Sequence, residues 1–337
     1  MNMLNSLLLY SLVSFSILIL ISKISYKLNL VDVPNKRKMH IKSVAYTGGL
    51  ALCVIYIFSI YFFELSSQKL DLILSLSFLI GIVGFIDDRY NLSIGNKLSL
   101  QIIPIIYLTI LENLNLNHIG DYEYFNLELN SFSIPFTVIS VLFLINSFNY
   151  FDGLDGTLSF TTISTLVILF FLLSNENIKL FLILIFIPLF FFLCFNFSIF
   201  KLPKLFLGDS GSLLLGFIIA FTLIYLANQK IVHPILLAFS ISIFTYEFLS
   251  INLVRLINKK KLFNAGKDHL HHIIFKKCKS LFLTNFLISI MNIVFFIFGY
   301  LSFKFINPLA SLILFVCFFI IFFIIRKNFA KNYSMYI

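Results

Sequence analysis

An all-α integral membrane protein, a polytopic bundle of about eleven transmembrane helices, is the fold class that three observations predict. Hydrophobic residues fill 60% of the 337 positions and charged residues 12%, and the mean hydropathy is +0.99. Apolar runs long enough to cross about 30 Å of hydrocarbon, roughly 20 residues each, recur from end to end. No soluble domain of this length could hide so much apolar surface in one core, so residues 1–337 read as a single polytopic membrane domain.

The first run, near Leu4 to Ile21, has no basic residue before it and Lys23 and Lys27 after it. That is the reverse of a secretory signal peptide, so it reads as a retained span. The segments fall near 4–22, 45–63, 70–86, 100–111, 133–149, 158–174, 178–195, 211–227, 234–257, 282–301 and 305–325. The fourth is short and contains Pro104, and only Asn175-Glu176-Asn177 parts the sixth from the seventh, so ten spans is the alternative count. Alternate loops then carry 21 of the 25 Lys and Arg residues, against Lys69, Lys179, Lys230 and Lys304 opposite. The positive-inside bias places the rich face, with the C-terminus, in the cytoplasm and the N-terminus outside. The net charge of +10 follows from this orientation and from anionic headgroups, without nucleic acid. Cys53, Cys194, Cys278 and Cys317 lie too far apart to outline a disulfide framework or a zinc site.

Sorted the same way, Asp32, Asp87, Asp88, Asp152, Asp155, Asp209 and Asp268 fall in or beside the cytoplasmic loops. Asp121, Glu123 and Glu128 share one external loop without a recognisable motif. Among the acids Glu247 alone sits in the middle of a span, as a functional group or as a helix-paired structural one.

Four constellations gather on the acidic face. Asp87-Asp88 ends a span after Gly84-Phe85-Ile86; adjacent carboxylates repel, which favours a raised pKa or a bound cation. Asn146, Asn149, Asp152 and Asp155 recur every three residues, on one slowly rotating face if helical, and Gly153 and Gly156 let the chain turn close to a ligand. Phe206-Leu207-Gly208-Asp209-Ser210-Gly211-Ser212 opens a span as a helix start whose amides could hold a phosphate while Asp209 holds its metal; a plain N-cap is the ordinary alternative. Asp268-His269-Leu270-His271-His272 lies in a lysine-rich loop. If helical, His269 and His272 share a face, Asp268 reaches His272, and the adjacent His271 and His272 point apart. That favours phosphate donors or proton carriers over a zinc site.

Together with the loop from Asp32 to Gly49, these segments resemble, in order and over most of the chain, the polyprenyl-phosphate N-acetylhexosamine-1-phosphate transferases, glycosyltransferase family 4. The His-Leu-His-His form resembles the branch acting on UDP-N-acetylglucosamine-like donors. The chain departs from the family pattern at Ser43, Ala45, Ala265 and Lys267. The resemblance implies transfer of HexNAc-1-phosphate from UDP-N-acetylhexosamine to polyprenyl (undecaprenyl) phosphate with release of UMP, at the cytoplasmic face of the bacterial inner membrane. It implies magnesium, with manganese as the alternative ion, surrounding membrane lipids, and a homodimer as one assembly. By the same resemblance Asp87, Asp88, Asp152, Asp209, His269, His271 and His272 are catalytic, with Asp209 on the metal. Asp87 and Asp88 face the carrier phosphate. Lys97 and the histidines hold the diphosphate, Gly153, Leu154 and Asp155 read uracil, Phe206 stacks on it, and Lys42, Asn146 and Asn149 complete the substrate-binding set. Phosphoryl transfer needs alignment and charge neutralisation more than covalent chemistry, which favours direct attack by the lipid phosphate. The competing readings are the phospho-MurNAc-pentapeptide transferase branch and a multi-span transporter; polar residues at one face instead of the midplane, without an inverted repeat, count against the transporter.

Overall fold

In lipid every backbone group must be satisfied within the protein, and the chain answers with helices almost throughout. The computed structural model describes residues 3–34, 42–63, 65, 67–259 and 269–334, with side chains up to residue 329. Helix α1 (Met3–Lys27) leads to the short antiparallel pair β1 (Val31–Asp32) and β2 (Val44–Ala45). Then come α2 (Gly48–Phe62), α3 (Gln68–Tyr90) and α4 (Ile94–Ile106), which runs on as a π-helical turn to Leu111. A small hairpin, β3 (His118–Asp121) with β4 (Asn126–Glu128), precedes α5 (Ser133–Phe151), α6 (Thr157–Leu172), α7 (Glu176–Asn196) and α8 (Gly208–Asn228). The chain continues through α9 (Pro234–Ser240), α10 (Ser242–Ile257), α11 (Leu270–Cys278), α12 (Leu281–Phe305) and α13 (Pro308–Ser334).

Each of the eleven expected apolar segments coincides with helix. Among the described residues, eight helices are long and apolar enough to cross a membrane, and a ninth if α9 and α10, bent by 73°, count as one. The remaining two, α2 and α6, are apolar but only 15 and 16 residues long. The chain is a multi-pass, all-α membrane protein.

Burial follows position in the bundle. Every residue of α8 from Ser210 to Leu226 is buried, as expected of an all-round apolar helix at the centre. On α1 only the stripe Tyr10, Ser14, Leu18, Ser22 and Ser25 is buried, and α13 exposes Ile313, Val316, Ile320 and Ile324, so both present the rest of their surface to lipid. Proline breaks are repaired by side chains. Pro188 in α7 has no N–H for the carbonyl of Leu184, and Tyr10 Oη donates to that carbonyl at 2.9 Å.

The α9–α10 break exposes backbone groups in the apolar interior, and Asn292 of α12 satisfies them. Its Nδ2 donates to Ser240 O at 2.9 Å and to Ser164 Oγ at 3.1 Å, and its Oδ1 accepts from Ser242 Oγ at 3.3 Å and Ile243 N at 3.4 Å. Asn292→Leu leaves these groups unpaired, and we expect a loss of about 1–3 kcal/mol, read as a lowered thermal midpoint of the detergent-solubilised protein.

Candidate active site

The site is built around the N-terminus of α8. Ahead of it the chain is extended and pinned: Phe206 N donates to Ala45 O at 2.8 Å, Gly48 N to Phe206 O at 2.9 Å and Gly49 N to Leu207 O at 2.9 Å. The first loop therefore acts here as a frame for the Phe-Leu-Gly-Asp segment. Gly208 turns the chain into the helix at φ +71°, where a Cβ would sit 2.6 Å from Asp88 Oδ2 and 2.7 Å from Tyr46 O, so a side chain is excluded on conformation and on space. Gly49 and Gly84 let α2 and α3 approach the α8 backbone on two sides, at Gly211 and at Asp209-Ser210.

That approach brings Asp88 over the helix start. Asp209 N donates to Asp88 Oδ1 at 3.0 Å and Ser210 N to Asp88 Oδ2 at 3.3 Å. The structure thus corrects two expectations at once: these α8 amides are capped by a carboxylate instead of standing open to a phosphate, and Asp88 is the cap.

Beside the cap lies a half-buried charge cluster. Lys97 Nζ sits between Asp87 Oδ2, at 2.7 Å, and Asp209 Oδ2, at 2.5 Å. Asn149 Nδ2 donates to Asp209 Oδ1 and to Ser212 Oγ, both at 2.9 Å. Asp87 Oδ1 accepts from Leu92 N at 2.7 Å, fixing the α3–α4 turn, and Ser93 N-caps α4, accepting from Asn96 N. Two carboxylates from separate helices thus converge on one ammonium, a place made for positive charge.

The second corner forms where α5 ends. Only Asn146 and Asn149 of the three-residue stripe are helical: α5 stops at Phe151, Asp152 is its C-cap at φ −83°, ψ 49°, and Gly156 turns at φ +77°. The four polar residues therefore leave one face, and Asn146 Nδ2 donates to Leu142 O of its own helix at 2.7 Å. Leu154 is buried in the turn. Asp155 meets Lys204 at 2.5 Å, and the same ammonium lies 5.3 Å from the centre of the Phe206 ring. Asn285 of α12 holds the turn through Asp155 O at 2.7 Å and Thr157 Oγ1 at 2.7 Å. Burial of the Asp152 carboxyl, followed by the charges of Asp209, Asp88 and Asp155, pushes it well above the usual carboxylate range, favouring its neutral, hydrogen-donating form.

The histidines close this corner from α11. His269 is the N-cap residue. His269 and His271 stack in parallel with ring centres 5.4 Å apart, and His271 and His272 come to 4.4 Å, so the last two converge where helix geometry alone placed them apart. His271 is fully buried against Gly153, whose missing side chain makes room for the ring. Neither ring nitrogen of His271 has a hydrogen-bond partner among the described residues.

Burial, reinforced by His272, His269 and Arg326, holds His271 well below the usual histidine range. An unfolded chain gains a proton at this residue below pH ~6.5, which the fold refuses, so stability falls as pH drops through that value. One unit below it the loss is on the order of 1 kcal/mol. We expect the thermal midpoint to decline between about pH 7.5 and pH 5.5, and less so in His271→Gln.

Of the expected residues, Asp87, Asp88, Lys97, Asn149 and Asp209 meet directly, and Gly153, Asp155, Phe206 and the three histidines line the adjoining corner. Lys42 is exposed before β2. Residues 35–41 and 260–268, including Ala265, Lys267 and Asp268, lie outside the described residues. Lys204 and Asn285 were missed. Lys204 had a signal, since in an extended segment residues two apart share a face and it stands two before Phe206; Asn285, 130 positions from Asp155, had none.

The same segments carry the likeness to known proteins. Residues 70–227, from Leu70 of α3 to Ala227 of α8, match the model of glycosyl transferase family 4. The undecaprenyl-phosphate alpha-N-acetylglucosaminyl 1-phosphate transferase of Yersinia pestis is 26% identical over 272 residues, 79% of this chain and 74% of the relative. That of Escherichia coli O157:H7 is 25% identical over 261 residues, 75% and 71% of the two chains. The probable undecaprenyl-phosphate N-acetylglucosaminyl 1-phosphate transferase of Bacillus subtilis is 29% identical over 263 residues, 75% and 72%. The charge cluster at the head of the buried α8 is framed by the segments in which this multi-pass chain is similar to glycosyl transferase family 4.

Proposed function

We propose that the chain transfers N-acetylhexosamine 1-phosphate from a UDP-N-acetylhexosamine, with UDP-N-acetylglucosamine the favoured donor, to polyprenyl phosphate. The observation that carries this reading is the adjacency of two unlike corners: a carboxylate–ammonium cluster at the α8 start, and a Phe206–Lys204–Asp155 corner fit for a planar base and its polar edge. The relatives are named for undecaprenyl phosphate and for N-acetylglucosaminyl 1-phosphate transfer, which supports this carrier and this transferred group. In the reaction an oxygen of the carrier phosphate bonds to the sugar-linked phosphorus, the bond from that phosphorus to the bridging oxygen breaks, and UMP leaves with that oxygen. Lys97 steadies negative charge on the phosphates, while Asn149 and Asp87 hold Asp209 and Lys97 in place.

Asp209 and Asp87 fit magnesium by the chemistry of their hard oxygen donors and by their convergence on a cation. When bound there the ion would offset the charge that develops during transfer. The basic loops favour a cytoplasmic site in the bacterial inner membrane, with the C-terminus on the same side. Purified protein with undecaprenyl phosphate and a panel of UDP-hexosamines and UDP-hexoses tests the reading: a polyprenyl diphosphosugar should form from the N-acetylated donors. Product from none of them overturns it.

A further inference from the structure

Outside the two corners, the strongest feature is the buried ion pair beneath the histidine helix. Glu247 in α10 and Arg326 in α13 are 1% and 4% exposed. Arg326 Nε donates to Glu247 Oε2 and Nη2 to Oε1, both at 3.1 Å. The intramembrane carboxylate is therefore paired, and Arg326, one residue past the last apolar segment read from the sequence, is part of the interior. Oε1 has a second task. It accepts from Leu270 N, the first residue of α11, at 2.8 Å, and lies 3.8 Å from Nδ1 of His269. A nine-residue helix opens with N–H groups that lack intrahelical partners, and a carboxylate at that positive end both accepts a hydrogen bond and complements the dipole.

Contacts continue from there toward the reaction. Tyr150 meets the His269 ring edge-on with centres 5.2 Å apart, His269 stacks on His271, and His271 packs on Gly153 in the turn that carries Asp155. We propose that Glu247 is a positioning residue, whose cap on Leu270 N sets the seating of α11 and its histidines against the Asp152–Asp155 turn. Arg326 makes that buried carboxylate tolerable and so ties the C-terminal helix to the site. The catalytic part of this inference rests on the transferase reading; the seating of α11 does not.

Two double variants separate capping from plain packing. E247Q/R326M removes both charges but leaves an amide oxygen to accept from Leu270 N. E247L/R326M removes the charges and the cap together, and apolar replacement of a whole buried pair is commonly well tolerated. Hydrogen exchange over Leu270–Cys278 is read first, with the thermal midpoint as a control for folding. Exchange should accelerate about tenfold or more in E247L/R326M and stay near wild type in E247Q/R326M. Turnover with UDP-N-acetylglucosamine should drop about tenfold or more in the first and largely survive in the second, with KM for the carrier little changed. Equal exchange in the two variants, or wild-type turnover in E247L/R326M, overturns the proposal. Should that variant not fold, Arg326→Lys replaces it: its single ammonium grips Glu247 less firmly, so faster α11 exchange with slower turnover supports the proposal, and no change in either overturns it. A wild-type protein that transfers nothing defeats the transferase reading, and the exchange comparison still decides the role of Glu247.

Discussion

Asp209→Asn is expected to lower turnover by about 10²-fold or more, the scale seen when one preorganised electrostatic group is lost. The reason is specific to this arrangement. Asp209 accepts from Lys97 on one oxygen and from Asn149 on the other, so an amide of the same shape must turn its NH2 toward one of those two donors. The substitution removes the charge and also sets donor against donor, loosening Lys97. If Asp209 in addition holds the metal, EDTA should abolish wild-type transfer and magnesium restore it. Initial rates of wild type and variant, after size-exclusion has shown both folded, provide the check. Near-normal turnover of Asp209→Asn, or full activity after thorough chelation, contradicts the placement of the metal.

Lys97→Met should be as damaging, with a loss of about 10²–10³-fold, because it leaves Asp87 and Asp209 facing each other in a half-buried place without the charge between them. The variant carries a second, opposite signature. With the ammonium gone, two carboxylates are left to attract a divalent ion, so the magnesium concentration giving half-maximal rate should fall even as the maximal rate collapses. Lys97→Arg keeps the charge but not the compact ammonium, and should lie between the two. A magnesium titration of all three proteins reads both effects. A Lys97→Met rate within a few-fold of wild type, with unchanged magnesium demand, contradicts the bridging role.

The membrane segments were legible because crossing hydrocarbon is a one-dimensional demand: apolarity, written locally, marks every one of the eleven helical stretches, and length marks all but α2 and α6. The α9–α10 break was not. Ser240-Ile241-Ser242 reads like any part of a span, and what makes a bend tolerable there is Asn292, fifty positions on. The candidate site was legible as residue types, since Asp87, Asp88, Asn149, Asp155, Asp209 and the histidines stand in recognisable spacings and the fold gathers them. Their partners were not. Asp88 caps α8 across 121 positions, Lys97 reaches Asp209 across 112, and Arg326 reaches Glu247 across 79. Such pairings arise from how helices pack, and local spacing carries no trace of them. The asparagine–aspartate stripe failed for a related reason: its period assumes that α5 continues, and the helix ends at Phe151.

In the proposed reaction a sugar-linked phosphorus leaves a nucleotide and stays with a lipid. The decisive assay supplies the purified protein with undecaprenyl phosphate, magnesium and UDP-N-acetylglucosamine labelled at the β-phosphorus. Label should move to the organic phase as a diphospholipid, with an equal amount of unlabelled UMP in the aqueous phase. Label remaining in water, as intact UDP-sugar or as free phosphate, contradicts it.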